Sequence, residues 1–205
     1  MKSLIMKIES LQPYCYPIEI STNIDELMSS INVLLSRLGL SLDNINTWCK
    51  SNFAYTINLT HLNGLTGSDR WRKYNAGHFT VKAQGVSESN FTEHLEEAND
   101  LLIGKLIRQI YEYHEDKFQG RAQLIWLGAN QQYKFHRDLH TPNRYHVPLI
   151  TNEKCYWLFR DNKNIYNLHM PADGRIWYLD PINIEHTFRN ESQEARLHLL
   201  LTSGY

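Results

Sequence analysis

Apolar and polar positions change their rhythm near residue 121. Ahead of it, Ile24, Leu27, Ile31, Leu34, Leu35 and Leu38 recur at helical spacing. Asn23 stands before the first of them and Glu26 three residues on, the pattern of a capped helix start. Ser41 opens a second, short helix over 41–49. Residues 53–60 and 77–82 alternate as strands do, and 92–113 reads as one long helix with Leu95, Ala98, Leu102, Leu106 and Ile110 on its buried side. After residue 121 come short β-rich runs at 122–127, 144–150, 155–160, 165–170, 175–179, 186–190 and 195–202. Turn residues separate them, as at Asp173-Gly174 and Asn190-Glu191-Ser192. Many short, evenly spaced strands predict a sandwich or barrel. The expected fold is mainly β with flanking helices. Its core is a cupin-like jelly roll, or double-stranded β-helix, which brings strands far apart in sequence together at one end.

Length and composition narrow this picture. The 205 residues suffice for one domain, in which 1–120 form a helical and strand elaboration packed on a jelly-roll core at 121–205. A formal charge of −1 gives no overall attraction to nucleic acid or to an anionic membrane, so neither is expected as a partner. No run approaches membrane-spanning length, and the apolar stretch near the start is too short for a signal peptide. Cys15, Cys49 and Cys155 are odd in number and lack the C-x-x-C spacing of zinc or redox motifs. They fit a reducing, cytoplasmic setting.

The candidate chemistry lies in the β-rich part. His136 and Asp138, two residues apart, project to the same side of a strand or its end. His186 arrives from a distant strand, and Arg196 follows ten positions later. Two imidazoles and one carboxylate on one face of a metal make the facial triad of non-haem Fe(II) oxygenases, which leaves positions open for a cosubstrate and O2. By residue type alone, zinc would also accept these ligands. His136 and Asp138 alone are a weak signal in a chain with ten histidines; the four residues together are a strong one. His146 and His198, on predicted strands, are read as contacts of the bound molecule, with a purely structural histidine as the alternative. His140 is placed in a surface loop. Arg70, Arg72 and Lys73, with Trp71 and Tyr74 among them, suggest a site for an acidic group on a substrate, against the plainer reading of a solvated loop around a buried Trp.

On these motifs the chain resembles the aspartyl/asparaginyl β-hydroxylase-like family of Fe(II)/2-oxoglutarate-dependent dioxygenases. The matching segments are His136-Arg137-Asp138, Asn143-Arg144-Tyr145-His146-Val147-Pro148-Leu149, Gly174-Arg175-Ile176-Trp177-Tyr178-Leu179-Asp180, His186-Thr187-Phe188-Arg189-Asn190 and Arg196-Leu197-His198. The resemblance implies that His136, Asp138 and His186 hold Fe(II). It implies that Arg196 grips the far carboxylate of 2-oxoglutarate, a role suited to a planar guanidinium. Arg144 and His146 then face the near carboxylate of the cosubstrate or a carboxylate of the substrate. The implied reaction consumes O2 and 2-oxoglutarate and hydroxylates a C–H bond of an amino acid, or of an Asp/Asn-type residue in a peptide or protein. Some relatives have a small residue in place of the metal carboxylate, whereas this chain keeps Asp138. Where many relatives have a Gly turn ahead of the metal motif, this chain has Gly128-Ala129-Asn130-Gln131. Asn tolerates a left-handed backbone next best, so the turn is expected to persist. The competing function is a cupin-like metal-binding protein or isomerase without 2-oxoglutarate; Arg196 argues against it. Oligomeric state is left open.

Overall fold

A computed structural model describes residues 11–73, 85–113, 118–138, 143–161 and 164–204. The strand expected at 77–82, Tyr74 and the loop histidine at position 140 lie outside them. Twelve strands are seen among the described residues: β1 (Cys15–Ser21), β2 (Ala54–Asn58), β3 (Thr60–His61), β4 (Glu93–His94), β5 (Phe118–Leu127), β6 (Gln131–Gln132), β7 (Asn143–Ile150), β8 (Cys155–Asp161), β9 (Asn164–Leu168), β10 (Arg175–Leu179), β11 (Glu185–Asn190) and β12 (Arg196–Gly204). The helices are α1 (Ile24–Arg37), α2 (Leu42–Cys49), α3 (Asp69–Arg72) and α4 (Leu102–Tyr113). A large sheet runs β1-β10-β7-β12-β5-β2, and a smaller one β6-β11-β8-β9. From β5 to β12 the chain passes back and forth between the two, with β8 and β9 a hairpin inside the small one, which is the winding of a double-stranded β-helix.

Side-chain alternation divides the large sheet into two unlike faces. Tyr145, Val147 and Leu149 of β7, Ile176 and Tyr178 of β10, and Leu197, Leu199 and Leu201 of β12 join a core with α1, α2 and α4. The opposite face looks into the barrel, where Trp177 and Leu179 meet Trp157, Phe159 and Phe188 of the small sheet. Every residue of β12 is buried, because both of its faces are covered. On that inner face Arg196 and His198 replace apolar residues.

The helix starts follow the sequence. The side chain of Asn23 accepts from the backbone of Asp25 and Glu26, and Ser41 accepts from Asn44. Both satisfy donors that a helix leaves unpaired at its start.

Two expectations are corrected. The helix foreseen over 92–113 starts only at Leu102. Before it, Glu93–His94 pairs with β3 and Glu96–Ala98 is a single 3-10 turn. Arg37 captures this turn, donating to Glu97 O at 2.8 Å and gripping both oxygens of Asp100 at 2.5 and 2.9 Å. Ser30 Oγ, on α1, accepts from the Ile103 backbone N–H at the helix start. These tertiary contacts override the helical pattern. The strand expected over 53–60 breaks at Leu59, which accepts from Leu95 N–H and donates to Ala122 O. The chain there leaves β5 for the small β3–β4 pair. The hydrophobic pattern does not announce β1, whose Pro17 argues against a central strand but suits the sheet edge that it occupies.

A buried ion pair joins the first part of the chain to the barrel. Glu88, in a 3-10 turn, takes two bonds from Arg121 Nε (2.9 and 3.1 Å) and one from Arg121 Nη2 (2.6 Å). Thr202 Oγ1 also donates to it at 3.0 Å. Glu88→Ala would strand a buried guanidinium and should lower stability by about 3–5 kcal/mol in urea denaturation; a loss under about 1 kcal/mol would show that the charge reaches water.

Candidate metal centre

His136 follows β6, and its backbone exchanges two hydrogen bonds with His186, at 3.0 and 2.9 Å. This isolated bridge fixes two residues fifty positions apart side by side, with ring centroids 4.5 Å apart. Asp138 N–H donates to Pro181 O at 2.9 Å, tying the third residue to the turn before β11. One donor atom from each of His136, Asp138 and His186 lies within 4.8 Å of the others, so the three can surround one ion. Among the described residues this is the one such group of three.

The imidazole orientations are set locally. His136 Nδ1 lies 2.8 Å from Lys134 O, and His186 Nδ1 lies 3.1 Å from Ile184 O. A carbonyl can only accept, so both Nδ1 atoms carry a proton and Nε2 is the nitrogen each ring has left for an ion. His186 is fully buried, and its Nε2 has no hydrogen-bond partner. Burial, with the charge of Arg144 behind it, pushes His186 down to about 4, so it stays neutral. Two imidazole nitrogens and a carboxylate suit a divalent transition metal, and an ion there would satisfy the orphaned Nε2 of His186.

Arg144, on the inner face of β7, puts Nη2 2.5 Å from Asp138 Oδ2, a charge contact whose alignment falls short of a directed hydrogen bond. Its Nε has no partner. Deeper in the barrel, the Arg196 guanidinium lies 3.5 Å above the Phe188 ring and 5.7 Å from that of Trp157. Its Nη2 contacts His198 Nδ1, which must accept because guanidinium only donates. The His198 proton therefore sits on Nε2, which has no partner; Arg196 Nε has none either. No carboxylate pairs with Arg196 among the described residues. Burial pushes Arg196 down to about 9, which leaves it charged at neutral pH. A buried cation that meets aromatic rings and a neutral imidazole, and no carboxylate among the described residues, is costly and fits an incoming anion. His146 is also buried, 5.8 Å from His198 between ring centroids, and neither of its nitrogens has a partner. Trp157 packs against His146 and His186.

Asn190, quoted in the sequence motif without a role, anchors this geometry. Its Nδ2 donates to Leu127 O, Gly128 O and Glu194 O, and its Oδ1 accepts from the backbone and hydroxyl of Ser192 and from Cys155 Sγ. It thus ties the ends of β5 and β11 to the turn that delivers Arg196. Asn130, just beyond Gly128, has φ 54, so the turn expected there is present without a second glycine.

The basic segment is arranged differently. Arg70 Nη2 bonds Glu97 Oε1 at 2.5 Å, and Arg70 Nη1 lies 3.6 Å from Glu96. Arg72 stacks on Trp71 at 4.7 Å, while the Lys73 carbonyl accepts from Asn58. Trp71 is buried in the helix-side core. The segment packs mainly on β2 and β3, strands that carry none of the triad.

A protein-family model described as aspartyl/asparaginyl beta-hydroxylase matches residues 56–203. No curated protein matches the chain. Among solved structures, the chain is similar to an oxidoreductase of the 2OG-Fe(II) oxygenase family from Burkholderia pseudomallei, at 12% identity over 100% of this chain and 93% of that one, with a TM-score of 0.53. It is similar also to a Pseudomonas putida prolyl-4-hydroxylase, at 9% identity over 96% of each chain, with a TM-score of 0.51. At such identities the likeness is one of fold.

Burial holds His146 and His198, as well as His186, below the ordinary histidine range. Below about pH 6.5 the unfolded chain takes up protons that the folded protein refuses, so stability must fall with falling pH. Each histidine should cost about 1 kcal/mol between pH 7 and 5.5, read from urea denaturation of metal-free protein at stepped pH. A flat profile would mean that the three rings are solvated.

Proposed function

This chain belongs to the aspartyl/asparaginyl β-hydroxylase family, and from that membership we propose that it hydroxylates a C–H bond of an amino acid, or of an Asp/Asn-type residue in a peptide or protein. It is a 2-oxoglutarate-dependent dioxygenase that uses Fe(II) and O2. The observation carrying the residue assignment is the convergence of His136, Asp138 and His186 in a barrel that also buries the Arg196 guanidinium, which meets no carboxylate among the described residues. Among the described residues, no helix is long and apolar enough to cross a membrane.

In this reading His136 and His186 offer Nε2 and Asp138 offers one carboxylate oxygen to iron. Bound iron and 2-oxoglutarate supply an O2-dependent oxidation in which 2-oxoglutarate leaves as succinate and CO2 and one oxygen atom enters the substrate C–H bond. The protein's part is to hold and orient. Arg144 keeps the second oxygen of Asp138 engaged, which favours binding through the first alone, and its remaining N–H groups face the near carboxylate of the cosubstrate or one on the substrate. Arg196 takes the far carboxylate in its fork. His198, with its proton on Nε2, and His146 add polar contacts along the same inner face. Trp157 and Phe188 keep water from the charged groups, which strengthens their grip on an anion. Arg70 is engaged by Glu97 and Glu96. Arg72 and Lys73 are exposed on that segment, the place where an acidic substrate group would reach it. Residues 121–205 carry the chemistry in this reading, with 1–120 as support.

Anaerobic addition of 2-oxoglutarate to the Fe(II)-loaded protein should give a weak visible charge-transfer band, absent from a cupin-like protein without this cosubstrate. Asp138→Ala and His186→Ala should each abolish 2-oxoglutarate-dependent succinate release; persistence in either purified variant would refute the ligand set. Arg196→Met should weaken 2-oxoglutarate binding about a hundredfold while sparing metal affinity. Unchanged binding would move the clamp elsewhere. A screen for an added oxygen atom by mass, over amino acids and Asp- or Asn-containing peptides, identifies the substrate.

A further inference from the structure

Tyr133 stands at the rim of the barrel, three residues before His136. Its backbone N–H donates to Phe188 O at 3.1 Å, and Thr187 Oγ1 donates to its carbonyl at 2.5 Å. Gln132 pairs with Arg189, so Tyr133 falls opposite Phe188. Residues opposite one another in an antiparallel pair present their side chains to the same face. Phe188 faces into the barrel, where its ring carries the Arg196 guanidinium. Tyr133 and Arg196 therefore border the same aromatic surface. On its outer side the Tyr133 ring meets the edge of Phe53, with centroids 4.7 Å apart and planes at 79°.

The two ends of Tyr133 lie in different surroundings. The residue is 37% exposed, yet burial raises its phenol above the ordinary tyrosine range, while the charges of Arg196 and Arg144 pull it back down. The register opposite Phe188 turns the side chain inward, and the contact with Phe53 at the rim leaves part of the ring in solvent, which accounts for both facts. The hydroxyl enters no hydrogen bond with the described residues.

We propose that the Tyr133 hydroxyl is a further binding group for 2-oxoglutarate, donating to the far carboxylate held by Arg196, while the Tyr133 and Phe53 rings form the outer wall of that pocket. This rests on the reading of Arg196 as the carboxylate clamp. The chemistry favours such a donor. A carboxylate has about four acceptor sites and a guanidinium fork fills two of them. A phenol O–H to an anion is among the stronger hydrogen bonds, and water need not enter to supply one.

Tyr133→Phe keeps the ring and removes the donor. In an anaerobic titration of Fe(II)-loaded protein, followed by the charge-transfer band, the variant should bind 2-oxoglutarate about tenfold more weakly, with Fe(II) affinity and melting temperature unchanged. Pyruvate has the 2-oxo acid end without the far carboxylate, and it should bind both proteins alike. Equal 2-oxoglutarate affinity in the two proteins would overturn the proposal while leaving the Arg196 reading intact. A loss shared by both ligands would overturn it also, by showing a general disturbance of the site. Failure of the unaltered protein to bind 2-oxoglutarate would bring down the Arg196 reading and this inference with it.

Discussion

The two reciprocal backbone hydrogen bonds between His136 and His186 are the constraint on which the site depends. They join the end of β6 to the start of β11 and set two imidazoles side by side before any ion is present. Each ring is then locked by a carbonyl two residues earlier in its own strand or loop, Lys134 O for one and Ile184 O for the other. Backbone geometry thus decides which nitrogen is free. Asp138 joins because alternation along the chain returns its side chain to the side of His136 and because Pro181 O holds its N–H.

The large sheet makes the surrounding polarity tolerable. Its outer face is apolar and sealed by helices, so the strands are stable without apolar side chains at every inward position. That leaves β7 and β12 free to turn Arg144, His146, Arg196 and His198 into the barrel. Burial keeps the histidines neutral, so the interior has few net charges, and Arg144 has Asp138 as its counterion. Arg196 is the exception, a buried cation with no carboxylate partner among the described residues.

The barrel was largely legible from sequence. All seven runs predicted after residue 121 correspond to strands, because period-two alternation and turn residues are local signals that the fold reinforces. The grouping of His136, Asp138 and His186 was legible for a different reason: residue types with metal-binding chemistry stand in the segments that carry the family resemblance. Tertiary contacts hid the rest. Arg37 reaching Asp100 shortens the helix before α4, and Leu59 divides one apparent strand between two sheets. The partner of Arg70, Glu97, is 27 residues away and nothing local points to it. Asn190 had no visible role because its value lies in joining three chain segments at once. Tyr133 lay in a polar stretch whose register against β11 only the folded sheet defines.

The helical cover has a bearing on any attempt to obtain a minimal catalytic fragment. β2 occupies the edge beside β5, and α1, α2 and α4 seal the outer face of the large sheet. A barrel excised at the start of β5 would bare Trp126, Tyr145, Val147, Leu199 and their neighbours as one greasy slab, next to an unpaired strand ready to recruit another chain. Such a fragment would keep every residue assigned to iron and would precipitate rather than turn over.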